Sequence, residues 1–307
     1  MITTLFSNSP RAEGSGQLMQ GTVVANETLC RDHFRLVLAL PPLESARPGQ
    51  FLHLGQPSSS WGLYSRPFLR RAFSIAGLRA RGSQCEVDVI YRLHGAGTCW
   101  MASLRTGDLV NVLGPLGRSF GIHPSKPTAW LLAGGVGLPP ILWLAEWLEH
   151  AGKETVAFYG ARTYDCVPLM LRDPQAFPRD AAQAVMGAEE FTRCNTPVVL
   201  STDDGSLGFH GSVAEALAAY RRAWGGADGD VVAYCCGPEG MMAAVATWCL
   251  ARGIECYACL EREMACGMGT CQSCVVRVHD ATDAEGWRYA LCCSEGAVFN
   301  ARDVIWT

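Results

Sequence analysis

The sequence predicts a multidomain β plus α/β protein: an antiparallel β-barrel, a parallel α/β sheet after it, and a small C-terminal domain organised by cysteines. Three observations predict it. Short alternating or β-branched apolar runs, separated by Pro and Gly, fill the first third of the chain. Apolar strands then alternate with alanine-rich helical stretches, the pattern of parallel strands joined by crossover helices. Finally, Cys266, Cys271, Cys274 and Cys293 follow one another with four, two and eighteen residues between them.

In chain order, residues 1–18 carry Ser7, Ser9, Pro10, Gly14 and Gly16 without an apolar period and are expected to form a flexible tail. Residues 19–125 are expected to form the barrel, with strands over 34–38, 51–54 and 87–91. Within it, Arg71, Ala72, Phe73 and Ser74 set a guanidinium, an aromatic ring and a hydroxyl close together on one strand. Arg71 can fork onto a phosphate, and the Ser74 hydroxyl can reach a flavin ring nitrogen and tune it. Ile90, Tyr91 and Arg92 lead into Gly97 and Thr98 at the start of a short helix, whose amides can meet a pyrophosphate. A plain barrel edge with solvated arginines is the competing reading of the same residues.

Residues 126–253 are expected to form the α/β domain, with strands over 130–133, 155–159, 197–200 and 231–234. The apolar stretch 130–148 is interrupted by Gly134, Gly135, Gly137, Pro139 and Pro140 and contains Glu146, so strand, turn and helix describe it better than a membrane span. That glycine turn lets backbone approach a dinucleotide pyrophosphate at the N-terminus of the following helix, although glycines there also serve strand-to-helix packing. Cys236, Gly237 and Pro238 follow the last strand, at the sheet edge where such folds bind ligands, and suit close approach of a nicotinamide. NAD is the expected nucleotide: Asp203 and Asp204 would repel the 2′-phosphate of NADP, whereas Arg162 would welcome it, and the residues leave the choice open.

Residues 254–307 hold the four spaced cysteines. Their spacing is that of plant-type [2Fe–2S] proteins, and Gly267 and Gly269 let the loop close tightly around a binuclear centre. Structural zinc sites usually pair their cysteines in two short hairpins, which this triplet with a distant single does not. Cys292 and Cys293 are adjacent and both in reach as fourth ligand; Cys293 is the expected one. Cys256 lies in an apolar run and is expected to pack, as are most of Cys30, Cys85, Cys99, Cys166, Cys194, Cys235 and Cys249. Fifteen cysteines and a start without basic, apolar or cleavage-site elements point to a reducing cytoplasm. A net charge of −4, with Arg66, Arg70 and Arg71 the nearest approach to a basic patch, argues against nucleic acid as a partner.

These residues in this order resemble the ferredoxin reductase superfamily, and within it the electron-transfer subunits of NAD-dependent dihydroorotate dehydrogenase, over roughly residues 21–304. The resemblance implies an FAD-binding barrel, a nicotinamide-binding domain and a small cluster domain facing a catalytic partner that carries FMN, with two copies of each chain. It assigns FAD to Arg71, Ala72, Phe73, Ser74, Ile90, Tyr91, Arg92, Gly97 and Thr98. Electrons from dihydroorotate oxidation on the partner would cross the cluster singly and collect on FAD, which reduces NAD⁺. Ala72 stands where the family often has proline, and the connection 172–196 is longer than usual. Two alternatives fit the same residues: a reductase subunit serving a hydrogenase, ferredoxin or oxygenase, and a non-enzymatic zinc-binding regulator.

Overall fold

Alternation decides the first half of the chain. The computed structural model describes residues 16–57 and 69–306; the expected tail through residue 15, and Arg66, lie outside the described residues. Six strands, β1 (Gln17–Cys30), β2 (His33–Leu40), β3 (Phe51–Gly55), β4 (Arg71–Arg81), β5 (Gln84–Arg92) and β6 (Leu109–Leu116), close into an antiparallel barrel ordered β1-β2-β5-β4-β3-β6. Alternate apolar residues, among them Val23, Leu36, Leu52, Ile75, Val87 and Val112, fill its interior. β1 begins at Gln17, so the barrel starts just inside the expected tail. Helix α1 (Gly95–Ala102) follows β5.

The second half is built around strand β7 (Thr128–Gly134), every residue of which is buried. A strand apolar on both faces belongs in the middle of a parallel sheet. The sheet also holds β8 (Glu154–Ala161), β9 (Val198–Thr202), β10 (Phe209–His210), β11 (Val231–Cys236) and β12 (Glu255–Cys259). The crossover helices are α2 (Leu138–His150), the short α3 (Glu189–Thr192), α4 (Val213–Ala223) and α5 (Glu239–Leu250). Local sequence explains their starts: Pro139 and Pro140 open α2, and Ser212 with Glu215 forms a reciprocal capping box on α4.

After β12 the chain leaves the sheet, forms the hairpin β13 (Val275–His279) and β14 (Trp287–Leu291), and returns as β15 (Val298–Asn300). The complete order is β10-β9-β8-β7-β11-β12-β15, with β15 antiparallel to β12. The division expected at residue 253 therefore falls within a continuous sheet. Its cause is the burial of Ile254, Cys256, Ala258, Cys259 and Leu260, which makes this run another core strand. Among the scattered cysteines, Cys85, Cys194, Cys235 and Cys249 are buried, Cys30 and Cys166 half-buried, and Cys99 exposed.

Helix α2 joins the two halves. It packs on β7 and β8 and also against barrel strand β4. Its Trp143 enters the barrel core, and Arg47 lies 5.0 Å above the Trp147 ring. On the sheet, Trp130 is fully buried, with the rings of Trp224, Phe158, Trp248 and Tyr220 at 5.2, 6.2, 6.2 and 6.3 Å. Trp130→Ala would leave a void among these four rings and is expected to cost ~3–5 kcal/mol, read as a lower urea midpoint at unchanged slope.

Candidate cofactor site

A cavity of about 640 Å³ opens where barrel, sheet and cysteine segment meet. Ala72, Phe73 and Ser74 from β4 and Ile90, Tyr91 and Arg92 from β5 line it. Antiparallel pairing sets Phe51 of β3 opposite Ser74, and Phe51 lines the cavity as well. Tyr91 borders the cavity, but its ring belongs to the barrel core. It stacks on Phe34 at 5.4 Å and donates its hydroxyl to Asn26 Oδ1 at 3.1 Å, and burial pushes its pKa up to about 12. Arg71 lies across Gly97: a β-carbon on that glycine would stand 3.1 Å from Arg71 Cγ and Nε. The Arg71 guanidinium donates to the Leu69 carbonyl, and Thr98 Oγ1 accepts from the His94 amide at 2.6 Å. Arginine, glycine and threonine are thus assembled at the start of α1, as an anion-binding corner requires.

The two glycine segments of the sheet meet backbone to backbone. A β-carbon on Gly137 would collide with the Cys236 carbonyl, and one on Gly134 would stand 2.6 Å from Met241 Sδ. Gly237, at φ +154°, faces the Gly134 backbone at 3.0 Å on the same measure. Gly134 and Gly137 therefore serve close packing, while Gly135, at φ +52°, faces open space. Val136 and Pro139 carry this turn to the wall of the cavity. Asp203 and Asp204 donate their amides to the carbonyls of Ala161 and Arg162 at 3.1 and 3.3 Å, which sets all three sequence-flagged residues at one sheet edge. The Asp204 carboxylate is engaged by its own turn. It accepts from the Ser206 hydroxyl at 2.6 Å and amide at 2.9 Å, which hold it below the usual carboxylate range.

Residues 260–264 line the third side. Sequence reasoning did not assign them, nor Phe51, His94, Val136, Pro139 and Ala297. His94, Val136 and Pro139 lie beside or within the flagged segments, whereas Phe51 and residues 260–264 with Ala297 arrive through the pairing of β3 with β4 and of β12 with β15, which no local motif records. Arg262 reaches Glu239 at the start of α5, 3.1 Å away. The Glu261 side chain is open to the cavity, yet the protein mass around it pushes its carboxyl above the usual range.

Three residues beyond Glu263 the cysteine loop begins. Gly267 and Gly269 have φ of +74° and +86°, the left-handed conformations that suit glycine. Amides turn toward sulfur: those of Met268 and Cys271 donate to Cys266 Sγ, and that of Cys293 to Cys274 Sγ, each at 3.4 Å. Cys266 lies by Cys271, and Cys274 by Cys293. Cys292 points the other way: it is fully buried, donates to the Leu260 carbonyl at 3.2 Å, and burial raises its thiol pKa strongly. Cys271 is exposed, and the Ser273 hydroxyl at 3.2 Å, with Cys266, brings its pKa down to about 6. Among the described residues no three His, Cys, Asp or Glu side chains converge as the shell of one metal ion. Thiols in two pairs, amides donated to sulfur and a glycine-tightened loop fit a binuclear iron cluster in their donor chemistry.

Barrel, sheet, shared cavity and cysteine loop define a protein of the ferredoxin-reductase fold whose cysteine loop suits an iron–sulfur cluster. Residues 261–305 match the model of the iron–sulfur cluster binding domain of dihydroorotate dehydrogenase B. The electron transfer subunit of dihydroorotate dehydrogenase B (NAD(+)) from Geobacillus kaustophilus is 33% identical over 92% of this chain and 97% of its own length. The Enterococcus faecalis subunit of the same name is also 33% identical, with the same coverage. This chain belongs to the family of dihydroorotate dehydrogenase B electron transfer subunits. Among solved structures, an NADH-dependent reduced ferredoxin-NADP oxidoreductase superposes with a TM-score of 0.71 at 22% identity, over 93% of this chain and 90% of that one. The ferredoxin reductase of a carbazole 1,9a-dioxygenase gives 0.59 at 19% identity, over 78% and 67%. Both support the fold.

In protein freed of any cluster, Cys271 should be the first thiol alkylated by iodoacetamide. Its rate should rise through about pH 6, against ~8.5 for an ordinary exposed thiol. Peptide mass spectrometry across a pH series reads the difference.

Proposed function

We propose that this chain carries electrons from the FMN of a dihydroorotate dehydrogenase catalytic subunit to NAD⁺ in pyrimidine biosynthesis, in a cytoplasmic assembly of two copies of each chain. Supporting the setting, no helix among the described residues is long and apolar enough to cross a membrane. A [2Fe–2S] cluster supplies one-electron transfer and FAD converts between single electrons and the two-electron chemistry of NAD⁺. The remaining work belongs to side chains and backbone.

Cys266, Cys271, Cys274 and Cys293 are the cluster ligands in this reading, and the inward hydrogen bond of Cys292 supports Cys293 over its neighbour. Arg71 and the amides of Gly97 and Thr98 hold the FAD pyrophosphate. Ala72, Phe73, Ile90, Tyr91 and Arg92 shape the flavin pocket, and Ser74 bonds the ring and tunes it. Gly134, Gly135, Gly137, Cys236, Gly237 and Pro238 form the nicotinamide nucleotide site. Gly135 offers open backbone, and the others let two turns pack closely enough to share one ligand. As functional units we assign residues 19–125 to FAD, 126–253 to NAD and 254–307 to the cluster.

One observation carries the reading: a single cavity has walls from the flavin strands, the nucleotide turn and residues 260–264, and the same backbone reaches Cys266 two residues later. Electron transfer weakens steeply with distance, so a shared wall is what such a relay needs.

Cys271→Ser is expected to abolish dihydroorotate-dependent NAD⁺ reduction by the reconstituted complex while NADH-dependent dye reduction persists. Equal loss of both would reject the route through the cysteine loop. Arg71→Ala should weaken FAD retention by ~2 kcal/mol if a charge-assisted phosphate bond is lost. Flavin fluorescence after equilibrium dialysis checks it, and unchanged affinity would remove Arg71 from the site.

A further inference from the structure

His53 is fully buried, and neither ring nitrogen has a hydrogen-bond partner among the described residues. Its position is specific. Residues two apart on a strand share a face, so His53 and Phe51 of β3 lie on the face of their β4 partners Ala72 and Ser74. Phe51, Ala72 and Ser74 all line the flavin cavity. The neighbouring residues Leu52 and Leu54 point into the barrel core instead. The cysteine loop covers the imidazole: a β-carbon on Gly267 would lie 2.9 Å from His53 Cε1 and 3.0 Å from Nε2. Gly267 directly follows Cys266. The ring therefore stands between the flavin face of the barrel and the cysteine loop, with Nε2 on the loop side.

Packing alone does not account for a histidine here. Two orphaned buried nitrogens carry an uncompensated desolvation cost, and a leucine, as at positions 52 and 54, would fill a buried strand position without it. Burial, with Arg70 and Arg71 nearby, lowers the ring's pKa to about 4. A neutral imidazole keeps one N–H to donate and brings no net charge.

We propose that His53, through Nε2–H, donates a hydrogen bond to a sulfur of the loaded cluster site beside Gly267, and so raises the cluster's electron affinity on its flavin side. The inference rests on the reading of the loop as a [2Fe–2S] site. Donors to cluster sulfur stabilise the more negative reduced state, which is why such bonds set reduction potentials.

The test uses the complete protein with flavin and cluster in place. His53→Leu should shift the one-electron reduction equilibrium about tenfold toward the oxidised form, a fall of ~59 mV in midpoint, read by redox titration followed by electron paramagnetic resonance. His53→Gln, which retains an N–H donor, should recover part of that shift. An unmoved midpoint in His53→Leu with full iron content overturns the proposal. Should that variant lose its cluster, wild-type protein grown with ¹⁵N-histidine decides. A ¹⁵N coupling to the reduced cluster in pulsed resonance supports the bond, and its absence overturns it. Wild-type protein without iron or paramagnetic signal would remove the cluster reading, and this proposal with it. An unmoved midpoint leaves that reading standing.

Discussion

Helix α2 is buried on two sides, and the architecture of the site depends on it. Against β7 and β8 it completes the sheet core, and against β4 it grips the barrel through Trp143. A helix so held cannot shift without opening two apolar cores at once. Its N-terminal turn is therefore fixed beside the strand that carries Arg71 to Ser74. The cavity exists because that turn, those strands and the return of the chain through β12 and β15 meet at one place.

The return of the chain matters as much as the clamp. By adding β12 and β15 to the nucleotide sheet, the sequence anchors both ends of the cysteine segment in a rigid element. The loop between them, whose own hairpin is small, inherits its position from the sheet. This arrangement lets residues 260–264 line the cavity and reach the first cysteine within a few residues. It also allows the loop itself to be polar, glycine-rich and partly exposed without loss of placement.

Fifteen cysteines are sorted by surroundings. Cys236, Cys249, Cys256 and Cys292 lie in the apolar interior, where burial and neighbouring thiols raise their pKa far above that of a free thiol, so they act as small packing groups. Cys271, on an exposed loop with a hydroxyl beside it, is shifted the other way. The same residue type is inert or ready to ligate according to the dielectric and the hydrogen bonds around it. His53 follows the same logic: its burial keeps the imidazole neutral, and its strand position aims it at the loop.

Sequence by itself determined the elements and the chemistry they carry. The alternation of the first half and the doubly apolar strands of the second half fix barrel and sheet, because side-chain periodicity reports which faces are buried. The spacing of Cys266, Cys271 and Cys274 is legible for a similar reason: one short loop supplies these thiols, and its glycines are local. Tertiary structure alone turned Cys292 inward toward the Leu260 carbonyl, gave Gly134 and Gly137 their packing roles, turned Tyr91 into the barrel, and made residues 255–259 part of the parallel sheet. It also set Phe51 and His53 beside Ser74 and Ala72. Each of these depends on contacts between residues far apart in the chain, and periodicity within one segment carries no record of what packs against it.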